Sequence, residues 1–223
     1  MKSLTVLAKY LGCYDKWLAI KQRYNLKWTN PDAAQHSFER LFSTELDFDA
    51  ILAKIKEMIR VLPASYGAII KLNCMTGLRP AEAIESVRLL NSCQDQGRIY
   101  YNPGRQCLEH FRFPEIFIRQ TKKAYLSFIT QEQLSRIGIF DHLPPITYNA
   151  IRHACRRRGI NMDMHLARKL FASWLYHCNI PESTIDLLQG RVPKSVFARH
   201  YLVLKSSLRD DVLQALEKLQ QQL

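Results

Sequence analysis

The chain has 223 residues, enough for one large domain or one domain with an appendage. Lys and Arg number 32 against 20 Asp and Glu, giving a formal charge of +12 and a pI near 9.5. That balance favours a polyanionic partner, nucleic acid first, while a basic but otherwise ordinary enzyme stays open because net charge says nothing about fold. Six Cys (Cys13, Cys74, Cys93, Cys107, Cys155, Cys178) are scattered with no CxxC pair, which reads as thiols in a reducing compartment. No stretch approaches the length of a membrane span, and Lys9 and Asp15 interrupt the apolar N-terminus, so a cytoplasmic protein is expected.

Leu4, Leu7, Leu11 and Leu18 predict one amphipathic helix over residues 4–18, with too few neighbours for its own core. Asn30-Pro31 then marks a linker over residues 29–45. Ile51, Ile55, Ile59 and Leu62 predict the next helix, with Asp47 or Asp49 as its cap. Ser65 can cap a following helix that ends at Gly77, and Pro80 suits the first turn of another that carries Glu82 and Glu85. Arg79 thus falls at a corner between helices.

Residues 98–130 alternate short aromatic and β-branched runs with turn signals, predicting a sheet of two or three strands with Lys122 and Lys123 at or near a hairpin. A helix over 147–158, capped by Thr147 and ended at Gly159, carries Arg152, Arg156, Arg157 and Arg158. The helix from His165 would pack through Leu166, Leu170, Trp174 and Cys178. Pro181 opens a shorter one closed by Gly190, and a terminal helix stripes Leu208, Val212, Leu216, Leu219 and Leu223 along one face. The fold class is mainly α with a small antiparallel β-sheet (α+β).

The segments "TGLRPAEAIE" (76–85), "HLAR" (165–168), "LLQGR" (187–191) and "ARHY" (198–201) resemble, in order and spacing, the signatures of the tyrosine recombinases. They resemble in particular archaeal integrases of the spindle-shaped-virus type, where Gly-Arg also stands in place of Gly-His. The likeness spans roughly residues 50–205. It implies the DNA breaking-rejoining catalytic fold over 46–205, with residues 1–28 as the terminal helix of a truncated core-binding region.

The same resemblance implies site-specific DNA cleavage and rejoining through a 3′-phosphotyrosine, without metal or other cofactor. Arg79, Arg168 and Arg191 would meet the phosphate charge, since guanidinium offers fixed bidentate donors. His165, one helical turn before Arg168, would assist at the same phosphate. Tyr201 takes the nucleophile's place, and Lys122 that of the general acid, with Lys123 beside it as an alternative. Arg152, Arg156, Arg157, Arg158, Lys123 and Lys169 are candidate contacts to double-stranded DNA. The terminal helix (206–223) would dock on a neighbouring protomer in a synaptic tetramer, although its stripe could instead cover the domain's own core, the more common fate of such a helix.

Taken singly, each residue also has a structural reading. Arg79 could cap a helix, Arg191 could be a C-terminal helix cation, the His165–Arg168 pair a solvated face, Tyr201 a core tyrosine, and the lysines edge-strand charges. A non-catalytic helix-turn-helix-like DNA-binding protein leaves Arg79 and Lys122 without a purpose. A type IB topoisomerase shares the chemistry but neither chooses sites nor pairs them.

Overall fold

Between Gly67 and Thr76 only Lys71 escapes burial, so this helix is apolar on every side and must lie at the centre of the domain. In a computed structural model, which describes residues 2–26, 47–92, 96–119, 122–138, 146–160, 164–191 and 207–223, the helices Phe48–Val61, Pro80–Asn91, Gln131–Ile137, His165–His177 and Leu208–Gln220 pack against it. The chain divides into two compact units at Asp47/Phe48.

The first unit holds α1 (Lys2–Tyr10) and α2 (Tyr14–Arg23), which bury only Ala8. The single helix expected over 4–18 is therefore two, broken at Gly12 in the left-handed region, and Trp17 Nε1 donates to Thr5 Oγ1 at 3.1 Å to hold the pair together. The linker expected at 29–45 lies outside the described residues.

In the second unit α3 (Phe48–Val61) buries Ile51, Leu52, Ile55 and Met58 against the central α4 (Ala64–Thr76). Pro63 rather than Ser65 precedes α4, and Gly77 ends it as expected. The chain turns at Arg79 into α5 (Pro80–Asn91), while α6 (Gln96–Tyr100) is helical where a strand was expected.

Three two-residue strands, β1 (Tyr101–Asn102), β2 (Cys107–Leu108) and β5 (Ser127–Phe128), form an antiparallel sheet in the order β1-β2-β5. After a 3₁₀ turn (His110–Arg112) and α7 (Pro114–Phe117), β3 (Ile118–Arg119) and β4 (Lys122–Lys123) make a separate hairpin that pairs Ile118 with Lys123 and Arg119 with Lys122. The fold is thus mainly helical with a small antiparallel sheet.

A buried polar chain ties α5 to that sheet. Ser86 Oγ bonds Tyr100 Oη at 2.7 Å, Tyr100 Oη bonds His110 Nδ1 at 2.8 Å, and His110 Nε2 bonds Ser127 Oγ at 2.8 Å. Burial holds His110 down at about 3, far below an ordinary imidazole, so it is neutral and can both donate and accept.

Sequence periodicity did not single out α8 (Gln131–Ile137), although Thr130 and Gln133 form a reciprocal capping box at its start. Thr147 caps α9 (Tyr148–Arg157) by accepting from Ala150 N at 3.1 Å. In α10 (His165–His177) the buried face is Ala167, Leu170, Phe171 and Leu175. Leu166, Trp174 and Cys178 are only half-buried, which turns the expected stripe partly aside. The short α11 (Glu182–Leu188) follows Pro181.

In the terminal helix α12 (Leu208–Gln220) the apolar stripe expected to dock on a neighbour is covered within the chain itself. Leu208, Val212, Leu216 and Leu219 are buried within their own unit, where α12 packs on α4, α10 and β5. Trp174 Nε1 donates to Ala215 O at 2.7 Å and Gln220 Nε2 to Gln133 O at 3.0 Å. Each buried Leu stabilises this seating by roughly 1.5–3 kcal/mol, so the stripe belongs to the chain's own core.

Candidate active site

The corner from α4 to α5 is built so that little in it can move. Gly77 has φ +62, and a Cβ there would sit 2.4 Å from the Phe171 ring, so only glycine lets α4 end directly against α10. Asn73 Nδ2 donates to Leu78 O at 2.5 Å. Arg79 follows as the N-cap of α5, and its own N–H donates to Glu82 Oε2 at 3.0 Å. Its guanidinium donates to Glu82 Oε1 at 2.9 Å. Glu82 is 3% exposed, so one buried carboxylate fixes both the backbone and the side chain of Arg79.

Arg168, half-buried on α10, reaches this corner from across the fold. Its Nη1 donates to Gly77 O at 2.5 Å and its Nη2 to Gln189 O at 3.1 Å. Burial first, then the positive charges of Arg79 and Arg191, hold its pKa down at about 10, with Glu82 opposing them. Arg168 stays protonated at neutral pH. A guanidinium has five N–H groups, and the two carbonyls take one each, which leaves three for an incoming anion.

Arg191 completes the group. Its backbone N–H donates to Asp186 O at 2.8 Å and its Nη1 to Asp186 Oδ1 at 3.0 Å, with the side chain 58% exposed. Gly190, at φ +70, lies so close to β4 that a Cβ would stand 2.7 Å from Ala124 N. Lys123 N donates to Gly190 O at 3.3 Å. The β3–β4 hairpin is thereby stitched to the Gly190–Arg191 turn. Lys122 and Lys123 are the two residues of β4, and Lys123 is half-buried.

The structure thus brings Arg79, Arg168 and Arg191 together, with β4 alongside. His165 is exposed on the first turn of α10, one turn from Arg168, and Lys169 is exposed next to it. The side chain of Lys122 and the whole of Tyr201 lie outside the described residues. Arg152, Arg156, Arg157 and Arg158 are all exposed on or at the end of α9, whose other face buries Ile151, Ala154 and Cys155. Among the described residues no cluster of His, Cys, Asp or Glu is placed to hold a metal ion, and no helix is long and apolar enough to cross a membrane.

Three supporting residues were not picked out by sequence reasoning. Glu82 carried a signal, an acidic residue at the third position of a helix opened by Pro80, where it meets the free N–H groups of the first turn. Asp186 and Gln189 carried none, because their partners are defined only by the turn after α11 and by α10. Converging guanidinium groups with free N–H donors and few nearby carboxylates suit a phosphate.

The sequence profile of the archaeal phage integrase family matches residues 50–216, a span that includes Arg79, β4, Arg168 and Arg191. No curated protein and no solved structure matches the chain. With a family match over most of its length on top of the arginine group, the chain belongs to the archaeal phage integrases.

Proposed function

We propose that the chain is a tyrosine recombinase that cuts and rejoins double-stranded DNA at specific sites, with residues 46–205 as its catalytic domain. The Tyr201 oxygen attacks the scissile phosphorus, the P–O5′ bond breaks, and the DNA is left as a 3′-phosphotyrosine with a free 5′-hydroxyl. The phenol proton passes to His165 or to solvent, and Lys122, or Lys123 in its place, gives a proton to the departing 5′-oxygen. Attack by a 5′-hydroxyl on the phosphotyrosine reverses these steps and rejoins the strand. Arg79, Arg168 and Arg191 bind the non-bridging oxygens, where negative charge grows as five-coordinate phosphorus forms. An ordinary phenol has a pKa of about 10, so the same positive charge also favours loss of the Tyr201 proton.

The observation that carries this reading is the seating of Arg168 between Gly77 O and Gln189 O, which draws Arg79 and Arg191, 112 positions apart in sequence, towards one guanidinium. Arg152, Arg156, Arg157, Arg158 and Lys169 would hold the flanking DNA backbone. Assembly of four protomers at paired sites is part of the reading, although the apolar face of α12 is already occupied by its own chain.

A suicide duplex, nicked just 3′ of the scissile phosphate so that the short downstream piece bearing the freed 5′-hydroxyl is lost, tests the proposal. Wild type should accumulate a covalent protein–DNA adduct, and Tyr201→Phe should bind the duplex equally but form none. An adduct at wild-type level in Tyr201→Phe, or none in wild type, would overturn it.

A further inference from the structure

Gln189 is fully buried, yet its side chain makes a single described hydrogen bond. Nε2 donates to Arg168 O at 2.8 Å, while Oε1 has no partner among the described residues. Turning the amide over would set Oε1 against Arg168 O, acceptor to acceptor. A buried amide with an unsatisfied oxygen is costly, and an apolar side chain of the same size would avoid that cost. Packing therefore does not account for a glutamine here.

The bond it makes is half of a reciprocal pair. Arg168 Nη2 donates to Gln189 O at 3.1 Å while Gln189 Nε2 donates to Arg168 O, so each residue's side chain grips the other's backbone. The pair fixes α10 at Arg168 to the turn that carries Gly190 and Arg191, and Gly190 O in turn accepts from Lys123 N. We propose that Gln189 is a positioning residue for the phosphate site, setting the guanidinium of Arg168 and the turn of Arg191 in register with each other and with β4. The assignment rests on the recombinase reading above and adds to it a residue that touches neither DNA nor the reacting atoms. A misplacement of about 1 Å in a phosphate donor costs up to about 100-fold in rate, so a clamp at this point governs turnover more than binding.

Two variants separate positioning from plain folding. Gln189→Met keeps the size of the side chain and removes the donor. Single-turnover cleavage of the suicide duplex should fall about 10–100-fold while DNA affinity and melting temperature stay near wild type. Gln189→Glu has no proton to donate as a carboxylate and regains one as a carboxylic acid. Its rate relative to wild type should therefore climb as the pH is lowered from 7.5 towards 5, which a purely structural role would not produce. Gln189→Met cleaving within about threefold of wild type, or a pH-independent ratio for Gln189→Glu, overturns the assignment.

The wild-type protein supplies a readout that needs neither cleavage nor a folded variant. In its nitrogen-15 spectra the Gln189 Nε2 protons should exchange slowly with solvent and the Arg168 guanidinium should rotate slowly. Fast exchange and free rotation would sink the clamp even if the enzyme cuts DNA. Restrained groups in a protein that forms no adduct would instead keep the clamp and refute the recombinase reading.

Discussion

Two sets of arginines in the second unit differ in how they are held. Arg79, Arg168 and Arg191 are tied to Glu82, to Gly77 O and Gln189 O, and to Asp186, and burial with mutual repulsion lowers the pKa of Arg168. Arg152, Arg156, Arg157 and Arg158 stand exposed on or just after α9, and none is paired with a carboxylate among the described residues. Charges fixed beforehand at one point act on a transition state, because nothing has to reorganise when charge develops there. Solvated charges on a helix face instead raise affinity for a polyanion by releasing counterions. The two regions should therefore separate in experiment, the first controlling rate and the second controlling binding.

The largest expected effect is on rate. Arg168→Ala should slow single-turnover cleavage by at least ~100-fold at saturating DNA, the loss expected for one preorganised donor. Arg168→Lys should recover little of it, because an ammonium lacks the planar fork that spans Gly77 O and Gln189 O while still presenting N–H groups to phosphate. A lysine variant near wild-type rate would show that charge alone suffices and would erase the contrast with α9.

A second test reaches the scaffold beneath the corner. His110 lies in the buried chain from α5, which Arg79 caps, to β5. Its pKa is held down at about 3 by burial, against an ordinary value of about 6.5 in the unfolded chain. Between these values the unfolded state binds the extra proton. Its contribution to stability is therefore complete above pH 6.5 and declines as pH falls towards 3, by about 1.4 kcal/mol for each pH unit well inside that window. Urea midpoints between pH 7 and 4 should fall accordingly in wild type and less steeply in His110→Gln. Parallel slopes in the two proteins would remove His110 from the account.

How much of this was legible beforehand follows from how local each signal was. The Gly77 stop, Pro80 at the start of α5, the Thr147 cap and the Lys122–Lys123 hairpin are written within a few residues each, and all appear at those places. The break at Gly12 was hidden because Leu11 and Leu18, seven residues apart, keep helical spacing across it. The fate of the α12 stripe was undetermined by its own sequence, since an apolar face looks the same whether its own α4 and α10 or another protomer covers it. Candidate site residues stood out where type and spacing carried the chemistry, as in Arg79 and Arg168. Gln189 and Asp186 did not, because their roles exist only once distant elements meet.

The smallest effect belongs to α9. Replacing Arg156 and Arg157 together by Ala should weaken DNA binding at physiological salt and reduce the slope of log affinity against log salt by about 2, with little change in cleavage rate once DNA is saturating. An unchanged slope would take α9 out of the interface. A cleavage rate that fell as far as in Arg168→Ala would dissolve the distinction between the two arginine sets.

The most direct test of the account is the position of the covalent bond. Wild-type protein trapped on the suicide duplex, digested with trypsin and analysed by mass spectrometry, should yield the peptide His200–Lys205 joined through Tyr201 to the 3′-phosphate of the cleaved strand. An adduct on any other residue, such as the exposed Tyr176 two helical turns beyond Arg168 on α10, or a phosphate left on the 5′ end, would contradict the assignment of Tyr201 and of the arginine group it is meant to serve.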